Sequence, residues 1–240
     1  SDPVAYVCDR AAMDQALASR AEDEGAKAHY EERVCRIDQL RSDNIIGADG
    51  PLSYIASAFG FPKSRKHAAT LQAELPYQCE DPNVIEMHIS NDRFPGFFGW
   101  VIPRDEKTAE FGAGVMAPKD ARMAWGHLLR MKKAGISADA LDLAKRPRGF
   151  VIPIRARQRT ASCIGKRNIL LVGDAAGQVK STTGGGVIFG GNCAAIAGRH
   201  PTNPLAYELA WRARYGPDLA MHELLNHYIA SRTESQLASI

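Results

Sequence analysis

The stretch ILLVGDAAG at residues 169–177, followed by TGGGV at residues 183–187, indicates the fold more clearly than any other part of the chain. The apolar run 169–172 predicts a buried parallel strand. It ends at Gly173 and Asp174, and open α/β sheets bind ligands where their strands end. A carboxylate there suits the hydroxyl groups of a ribose or polyol, because it accepts strong hydrogen bonds.

Three glycines then precede an apolar run, residues 187–197, that predicts a helix. Backbone N–H groups at a helix N-terminus accept phosphate or a negatively charged ring edge when no side chain is in the way. A triple glycine alone could be a flexible loop, and Gly-Asp after a strand could be a turn. Strand, acid, triple glycine and helix in this order predict a site for a large polyhydroxylated cofactor.

The segment GDAAGQVKSTTGGGV resembles the second flavin-binding motif of FAD-dependent oxidoreductases built like para-hydroxybenzoate hydroxylase, in the form found in geranylgeranyl reductases. Those enzymes saturate isoprenoid double bonds. The resemblance implies FAD as cofactor, with Asp174 at its ribityl or pyrophosphate side and residues 184–187 facing its isoalloxazine ring. The cofactor-binding residues implied in this segment are Gly173, Asp174, Ala175, Gly177, Gly184, Gly185, Gly186 and Val187.

A second strand-then-acid element is NIIGADGPLS at residues 44–53. Asp-Gly-Pro is strong turn chemistry, so a plain β-turn is the alternative. The element resembles the DG motif of the same flavoenzymes, which implies that Asp49 and Gly50 lie near the cofactor and a second nucleotide. Arg10 resembles that family's arginine near the flavin, although an arginine at a helix start is usually a solvated charge.

An aromatic row at residues 98–103, FGWVIP, places alternate side chains on one face of a strand. Such a row can simply be core packing. With the G-x-G at 112–114, it resembles the YxWxFP…GxG substrate-cavity motif of geranylgeranyl reductases, with phenylalanine in place of the tyrosine. The W-x-I-P ending is also similar to flavin-dependent halogenases. The implied substrate-binding residues are Phe98, Trp100, Ile102, Pro103, Gly112 and Gly114.

The rest of the sequence predicts ordinary elements. A strand-like piece from Tyr6 should lead into a helix with Asp9 as N-cap and Gly25 at its end, followed by a strand over 28–37. Further strands are predicted at 84–90, 99–103, 109–115 and 150–154, and a helix over 121–134. Because the strand at 150–154 contains Pro153, it should lie at a sheet edge or the proline should lie at the strand end. A C-terminal helix should bury Leu219, Leu224, Leu225, Tyr228 and Ile229.

Composition argues against several functions. A net charge of +3 over 240 residues, without basic runs interleaved with aromatics, argues against nucleic-acid binding. The histidines lack metal-ligand spacing, and no side chain stands out as a nucleophile, so no catalytic residue is assigned and the chemistry should be the cofactor's.

We expect the five cysteines to be buried free thiols. Without a signal peptide or membrane-spanning run, the expected location is cytoplasmic, peripheral at the membrane's inner face because the substrate is insoluble.

The sequence therefore predicts an α/β fold. Residues 1–60 and 150–200 should form an FAD-binding doubly wound sheet, residues 61–149 a substrate domain with a mixed or antiparallel sheet, and residues 201–240 C-terminal helices.

The G-x-G-x-x-G of the family's N-terminal βαβ unit does not occur in the sequence. A truncated copy, a fragment of a longer product and segments absent from the sequence are open explanations. Loss of that unit would remove the main anchor of the FAD pyrophosphate.

The function implied by the resemblance is FAD-dependent reduction of C=C bonds in geranylgeranyl chains, on archaeal-type glycerophospholipids. The prenylated lipid is the expected substrate, and NAD(P)H or ferredoxin the expected electron donor. One alternative is a flavin-dependent monooxygenase or halogenase acting on an aromatic substrate. The other is a truncated, non-catalytic relic that binds lipid or a protein without flavin.

Overall fold

The computed structural model describes residues 7–239, and the chain divides into residues 1–40 and residues 41–240. The first unit contains helix α1 (Arg10–Asp23) and a 3-10 turn (Ile37–Gln39). Asp9 caps α1 as predicted, because its carboxylate accepts hydrogen bonds from two backbone N–H groups of the first turn. The predicted start at Tyr6 lies outside the described residues.

The predicted strand over residues 28–37 is wrong. Residues 28–36 form no regular element, and each of them is exposed. A strand needs a neighbour for its backbone hydrogen bonds and a face to bury, and this segment has neither in its unit. Propensity alone therefore did not decide its conformation.

The second unit contains two sheets and helices packed on them. The strands, in chain order, are β1 (Asn44–Gly47), β2 (His67–Pro76), β3 (Glu86–His88), β4 (Gly99–Pro103), β5 (Thr108–Met116), β6 (Arg148–Pro153), β7 (Ala161–Ile164) and β8 (Arg167–Leu171). The helices are α2 (Tyr54–Ala58), α3 (Ala121–Met131), α4 (Ala138–Leu143), α5 (Val187–Arg199), α6 (Pro204–Ala230) and α7 (Glu234–Leu237). The sheet orders are β1-β8-β7 and β3-β4-β5-β2-β6.

Strand β8 is the centre of the three-stranded sheet. It pairs in parallel with β1, with Ile45 opposite Ile169, and antiparallel with β7. Ile169, Leu170 and Leu171 are fully buried, which confirms the predicted buried parallel strand. Side chains of α5 and α6 cover this sheet and close one hydrophobic core.

The predicted buried face of α6 is largely wrong. Leu219 is buried, but Leu224 is 68% exposed, and Leu225 and Tyr228 are also exposed. Tyr207 and Trp211 are the fully buried residues of this helix. The reason is tertiary, since α6 packs against α5, β7 and β8, and this packing selects the buried side.

The five-stranded sheet is antiparallel, and its strands include those predicted around residues 84–90, 99–103, 109–115 and 150–154. Strand β6 lies at one edge, as expected from its proline. One face packs on α3 and α4 around Phe111 and Leu128. The opposite face carries the aromatic row of β4.

The five cysteines, all within the described range, are free thiols. Only Cys79 and Cys193 are buried, so the expected burial is wrong for Cys8, Cys35 and Cys163. Cys163 lies on β7, an edge strand with an exposed side. From residue 7 to residue 239, no helix is long and apolar enough to cross a membrane.

Candidate functional site

Strand β8 is followed by a tight turn. Val172 N–H donates to the Gly47 carbonyl at 3.0 Å, and the chain then enters a 3-10 turn, Gly173–Ala175. Gly173 has φ of +58°, a conformation that glycine adopts at no steric cost. A Cβ on Gly190 would lie 3.1 Å from the Gly173 Cα, so the turn and α5 touch through two bare backbones.

The N-terminus of α5 is open beside Asp174. The N-cap of this 13-residue helix is Gly186, which has no side chain of its own to cap it. A Cβ on Gly186 would lie 3.0 Å from Asp174 Oδ1, so the carboxylate lies beside the bare start of the helix. Val187 and Ile188 of the first turn are 45% and 71% exposed. The site thus offers a carboxylate for hydroxyl groups, the backbone N–H groups of a helix N-terminus for negative charge, and apolar surface for a flat ring.

A buried hydrogen-bond network holds the turn in place. Gly173 N–H donates to Gln178 Oε1 at 2.9 Å, and Gln178 Nε2 donates to the Tyr207 hydroxyl at 3.0 Å. That hydroxyl donates to the Leu171 carbonyl at 2.6 Å. Gln178 and Tyr207 are fully buried, and burial raises the pKa of Tyr207. No local pattern in the sequence indicates this network, because 29 residues separate its two side chains.

The far side of the same turn is packed by the segment before β7. Gly177, with φ of +75°, lies so close to this segment that a Cβ would be 2.4 Å from the Arg155 carbonyl oxygen. Arg157 Nε donates to the Ala175 carbonyl at 2.6 Å. Gly177 and Ala175 therefore shape the turn through backbone packing.

The Asp49–Gly50 element follows β1, the parallel neighbour of β8, so it lies at the same edge of the sheet as Asp174. Asp49 Oδ1 accepts from Ser53 Oγ at 2.6 Å, and Oδ2 accepts from Ile55 N–H at 3.0 Å. Gly50 has φ of +81°, with open space beside it. The turn expected from Asp-Gly-Pro is present, and contact of Asp49 and Gly50 with a cofactor stays a prediction.

Arg10 belongs to the first unit. Its guanidinium pairs with Asp14 at 3.2 Å, and both side chains are 58% exposed. This is the solvated pair that a helix start normally shows. The predicted contact of Arg10 with the flavin is untested.

The aromatic row lines an apolar cavity of about 220 Å³. Phe98, Trp100 and Ile102 are brought together there, as the alternation along β4 predicts. The other lining residues of this apolar cavity are Ile85, Glu86, Met87, Phe97, Ile152 and Thr183. Pro103 is not among them and instead lines a cavity with Tyr77 and Lys132.

The glycines of β5 make room for the rings of this cavity. A Cβ on Gly112 would lie 1.9 Å from the Trp100 ring, and one on Gly114 would lie 2.3 Å from the Phe97 ring. The close approach to β5 that these glycines allow is thus made by the protein's own aromatic rings. Phe97, which lies outside the predicted aromatic row, stacks on Phe98 with ring centroids 4.4 Å apart.

The apolar cavity meets the glycine loop, residues 183–186. Thr183 lines the cavity directly. A Cβ on Gly184 would lie 3.0 Å from Ile152 Cδ1 and 3.3 Å from Phe97 Cζ. The residues predicted from two separate motifs, one for a cofactor and one for an apolar substrate, therefore form adjoining surfaces.

Comparison with known proteins places this site in a family. A family profile described as "FAD binding domain" matches residues 7–196. Digeranylgeranylglycerophospholipid reductase of Methanocaldococcus jannaschii is 25% identical over 98% of this chain and 67% of that protein. Digeranylgeranylglycerophospholipid reductase 1 of Methanothermobacter thermautotrophicus is 26% identical over 84% of this chain and 53% of that protein. The chain thus corresponds to between half and about two thirds of these relatives.

A solved structure shows the same fold. A geranylgeranyl bacteriochlorophyll reductase-like protein from Thermoplasma acidophilum superimposes with a TM-score of 0.76 at 19% identity. The match covers 99% of this chain and 67% of that one. At this identity the likeness concerns the fold, and it agrees with the predicted α/β class.

Proposed function

The chain belongs to the FAD-binding domain family, with FAD as its cofactor, and we propose that it forms the flavin- and substrate-binding part of a geranylgeranyl reductase. The reaction would saturate C=C bonds in geranylgeranyl chains of archaeal-type glycerophospholipids. The names of the two reductase relatives support this substrate class. Within the chain, we propose residues 1–60 and 150–200 for the cofactor domain, 61–149 for the substrate domain and 201–240 for the C-terminal helices.

One observation carries the proposal: the apolar cavity adjoins the glycine loop. Thr183 belongs to both, and Gly184 is packed against Phe97 of the cavity wall. A prenyl chain is apolar and needs walls that exclude water, and aromatic side chains provide area at low conformational cost. A double bond held in this cavity would lie beside a ring bound at the start of α5.

The hydrogen-bonding groups around the turn after β8 fit FAD. Asp174 would accept hydrogen bonds from the ribityl chain or lie on the pyrophosphate side, and Asp49, Gly50 and Arg10 would line the cofactor path. The backbone N–H groups at the start of α5 would stabilise the negatively charged edge of the ring. Gly186 provides space that a Cβ would fill.

When bound and reduced, FAD would supply a hydride to one alkene carbon, and a proton would have to reach the other carbon. An unactivated alkene carries no charge that side chains could stabilise. The chain must therefore contribute alignment and exclusion of water. Phe98, Trp100 and Ile102 would hold the prenyl chain in register, and Gly112 and Gly114 would keep the cavity rings in place.

We further propose that NAD(P)H or ferredoxin supplies the electrons, and that the protein is cytoplasmic and contacts the membrane surface where its lipid substrate lies. Co-sedimentation with lipid vesicles tests the membrane contact. The electron source is tested by mixing each reduced donor with the FAD-loaded protein and the lipid under nitrogen and measuring how much of the donor is oxidised. A donor that is not oxidised in the presence of the lipid is excluded.

Product analysis tests the proposed reaction. The FAD-loaded chain is reduced without oxygen and given a geranylgeranyl glycerophospholipid, and the lipid is then analysed by mass spectrometry. The proposal expects two hydrogens added for each saturated bond. Unchanged lipid, together with hydroxylation or halogenation of a phenolic substrate in oxygen, would support the monooxygenase or halogenase alternative. A protein that binds no FAD would support the relic.

A further inference from the structure

Glu110 lies on β5 next to the wall of the apolar cavity. Side chains alternate along a strand, so Glu110 shares one face of β5 with Gly112 and Gly114. Across the sheet, Glu110 is the direct neighbour of Ile102 on β4, and Gly112 is the direct neighbour of Trp100. Directly opposite residues point to the same face, so this acid lies on the face that carries the aromatic row.

Both carboxylate oxygens of Glu110 are hydrogen-bonded. Oε1 accepts from Trp100 Nε1–H at 3.2 Å, and Oε2 accepts from Arg104 Nη2 at 2.6 Å. The side chain of Glu110 is 17% exposed, so water competes little for these bonds. Charge-assisted hydrogen bonds are about twice as strong as neutral ones. The arginine therefore fixes the orientation of the carboxylate, and the carboxylate fixes the position of the indole N–H.

The indole ring of Trp100 is held by one polar contact and one apolar contact. A Cβ on Gly112 would lie 1.9 Å from ring atom Cε2 and 2.0 Å from Cζ2, so the ring rests on bare backbone of β5. Its single polar atom, Nε1, donates to Glu110. Apolar contacts are not directional, whereas a partly buried indole N–H needs an acceptor at one place. The hydrogen bond to Glu110 is therefore what selects this orientation of the ring.

The apolar cavity, of about 220 Å³, lies directly beside this ring, and Trp100 forms part of its wall. Glu110 is not among the described residues that line the cavity, so it can act on the cavity only through Trp100. A ring released from Glu110 can turn about its side-chain torsions into the adjoining space. The ring would then occupy volume that an apolar ligand needs.

We propose that Glu110 is a positioning residue that keeps the Trp100 ring on Gly112 and thereby sets how long an apolar chain the cavity admits. The inference rests on the proposed function in one respect, namely that the apolar cavity receives the prenyl chain. It adds a determinant of chain-length selectivity that lies outside the cavity itself.

Glu74 provides a matched control. It is the cross-strand neighbour of Glu110 on β2, and its carboxylate lies 3.9 Å from Arg104. The Glu74 side chain is 62% exposed, and the Trp100 N–H bonds Glu110 instead. Loss of this second acid changes the local charge as loss of Glu110 does, but it should leave the ring in place.

The first test is the binding of two prenyl alcohols, geraniol and the longer farnesol, measured by calorimetry with saturating FAD. We expect Glu110→Ala to weaken farnesol binding about tenfold, as when about one molecule in ten keeps the ring in place, and geraniol binding about twofold. Glu110→Gln retains an acceptor oxygen and should bind farnesol within about twofold of the parent protein. Glu74→Ala should bind both alcohols as the parent does. If Glu110→Ala does not fold, Glu110→Leu, which fills the space without an acceptor, replaces it.

The second test observes the ring directly, through the indole N–H signals in the NMR spectrum of ¹⁵N-labelled protein. The chain has three tryptophans, and the N–H groups of Trp125 and Trp211 have other acceptors. In Glu110→Ala the Trp100 signal should shift and its proton should exchange faster with water, while the other two signals stay in place. General loosening of the fold would instead move all three signals.

Four results would overturn the inference. They are unchanged farnesol binding in Glu110→Ala, an equal loss for the two alcohols, an equal loss in Glu74→Ala, and an unchanged Trp100 signal. A parent protein that binds neither alcohol overturns it as well. Failure of the proposed reaction alone is distinguishable, because farnesol binding that depends on Glu110 supports the inference even where the lipid is not reduced.

Discussion

The indole ring of Trp100 lies against Gly112, so close that a Cβ at this glycine would be 1.9 Å from the ring. The two residues are direct cross-strand neighbours on β4 and β5. The Trp100 Nε1–H also donates to Glu110 Oε1 at 3.2 Å, which fixes the ring along the strand. The shape of the apolar cavity therefore depends on the absence of one side chain.

Gly112→Ala should displace the Trp100 ring and deform the apolar cavity. Overpacking of this kind costs about 1–3 kcal/mol of the free energy of unfolding. Chemical denaturation and the fluorescence of the tryptophans measure the two effects. The control is Gly149→Ala on β6 of the same sheet, where a Cβ would meet Leu71 at an ordinary 3.7 Å. Equal losses in the two variants would show that the Trp100 contact does not matter.

Gly186→Ala should weaken FAD binding while the fold persists. The new Cβ would crowd Asp174 Oδ1 at 3.0 Å and Val179 Cγ2 at 3.1 Å, at the open end of α5. We expect about a tenfold loss of affinity, the equivalent of ~1.4 kcal/mol. Gly191→Ala in the same helix meets nothing within 4 Å and should stabilise the protein by up to about 1 kcal/mol without affecting FAD. Titration with FAD measures the affinity of both variants, and identical affinities would contradict the proposed site.

Tyr207→Phe should destabilise the turn after β8. It leaves the Leu171 carbonyl and Gln178 Nε2 without their buried partner. A buried polar group that loses its partner costs about 1–3 kcal/mol of the free energy of unfolding. Amide hydrogen exchange at Gly173 should also accelerate. Tyr228→Phe, on the exposed side of α6, is the matched control and should change stability by less than about 0.5 kcal/mol.

The protein should lose stability as the pH falls below about 6.5, the ordinary pKa of histidine. Burial, and then Lys180, lowers the pKa of His222, while the nearby Asp218 partly opposes this. The unfolded chain therefore binds the proton more readily, so the stabilisation is complete above that pH and decreases below it. Because His222 hydrogen-bonds Thr182 at 2.9 Å, the glycine loop should loosen as well.

Urea unfolding between pH 8 and pH 5 measures this dependence. His222→Gln should make the stability curve flatter across that range. Thr182→Ala should retain the dependence, because burial and Lys180 rather than the threonine cause the shift. A curve of the same steepness in the parent protein and in His222→Gln would exclude His222 as a source.

Prediction from the sequence is correct where local signals agree with the tertiary structure. The four apolar residues at 169–172 favour burial on both faces of their strand, and the glycines before α5 keep the start of that helix free of their own side chains. It failed where packing decides, as on α6, where contacts with α5 and the sheet select Tyr207 and Trp211 over the more distant leucines. The Gln178–Tyr207 bond and the buried Arg157 join segments that no local pattern relates.

A titration of the purified chain with FAD, followed by visible absorption, tests the central claim most directly. We predict flavin bands that saturate near one equivalent in the parent protein and in Gly191→Ala, with weaker binding in Gly186→Ala. A protein that remains colourless at saturating FAD would contradict the claim that this chain builds a cofactor site.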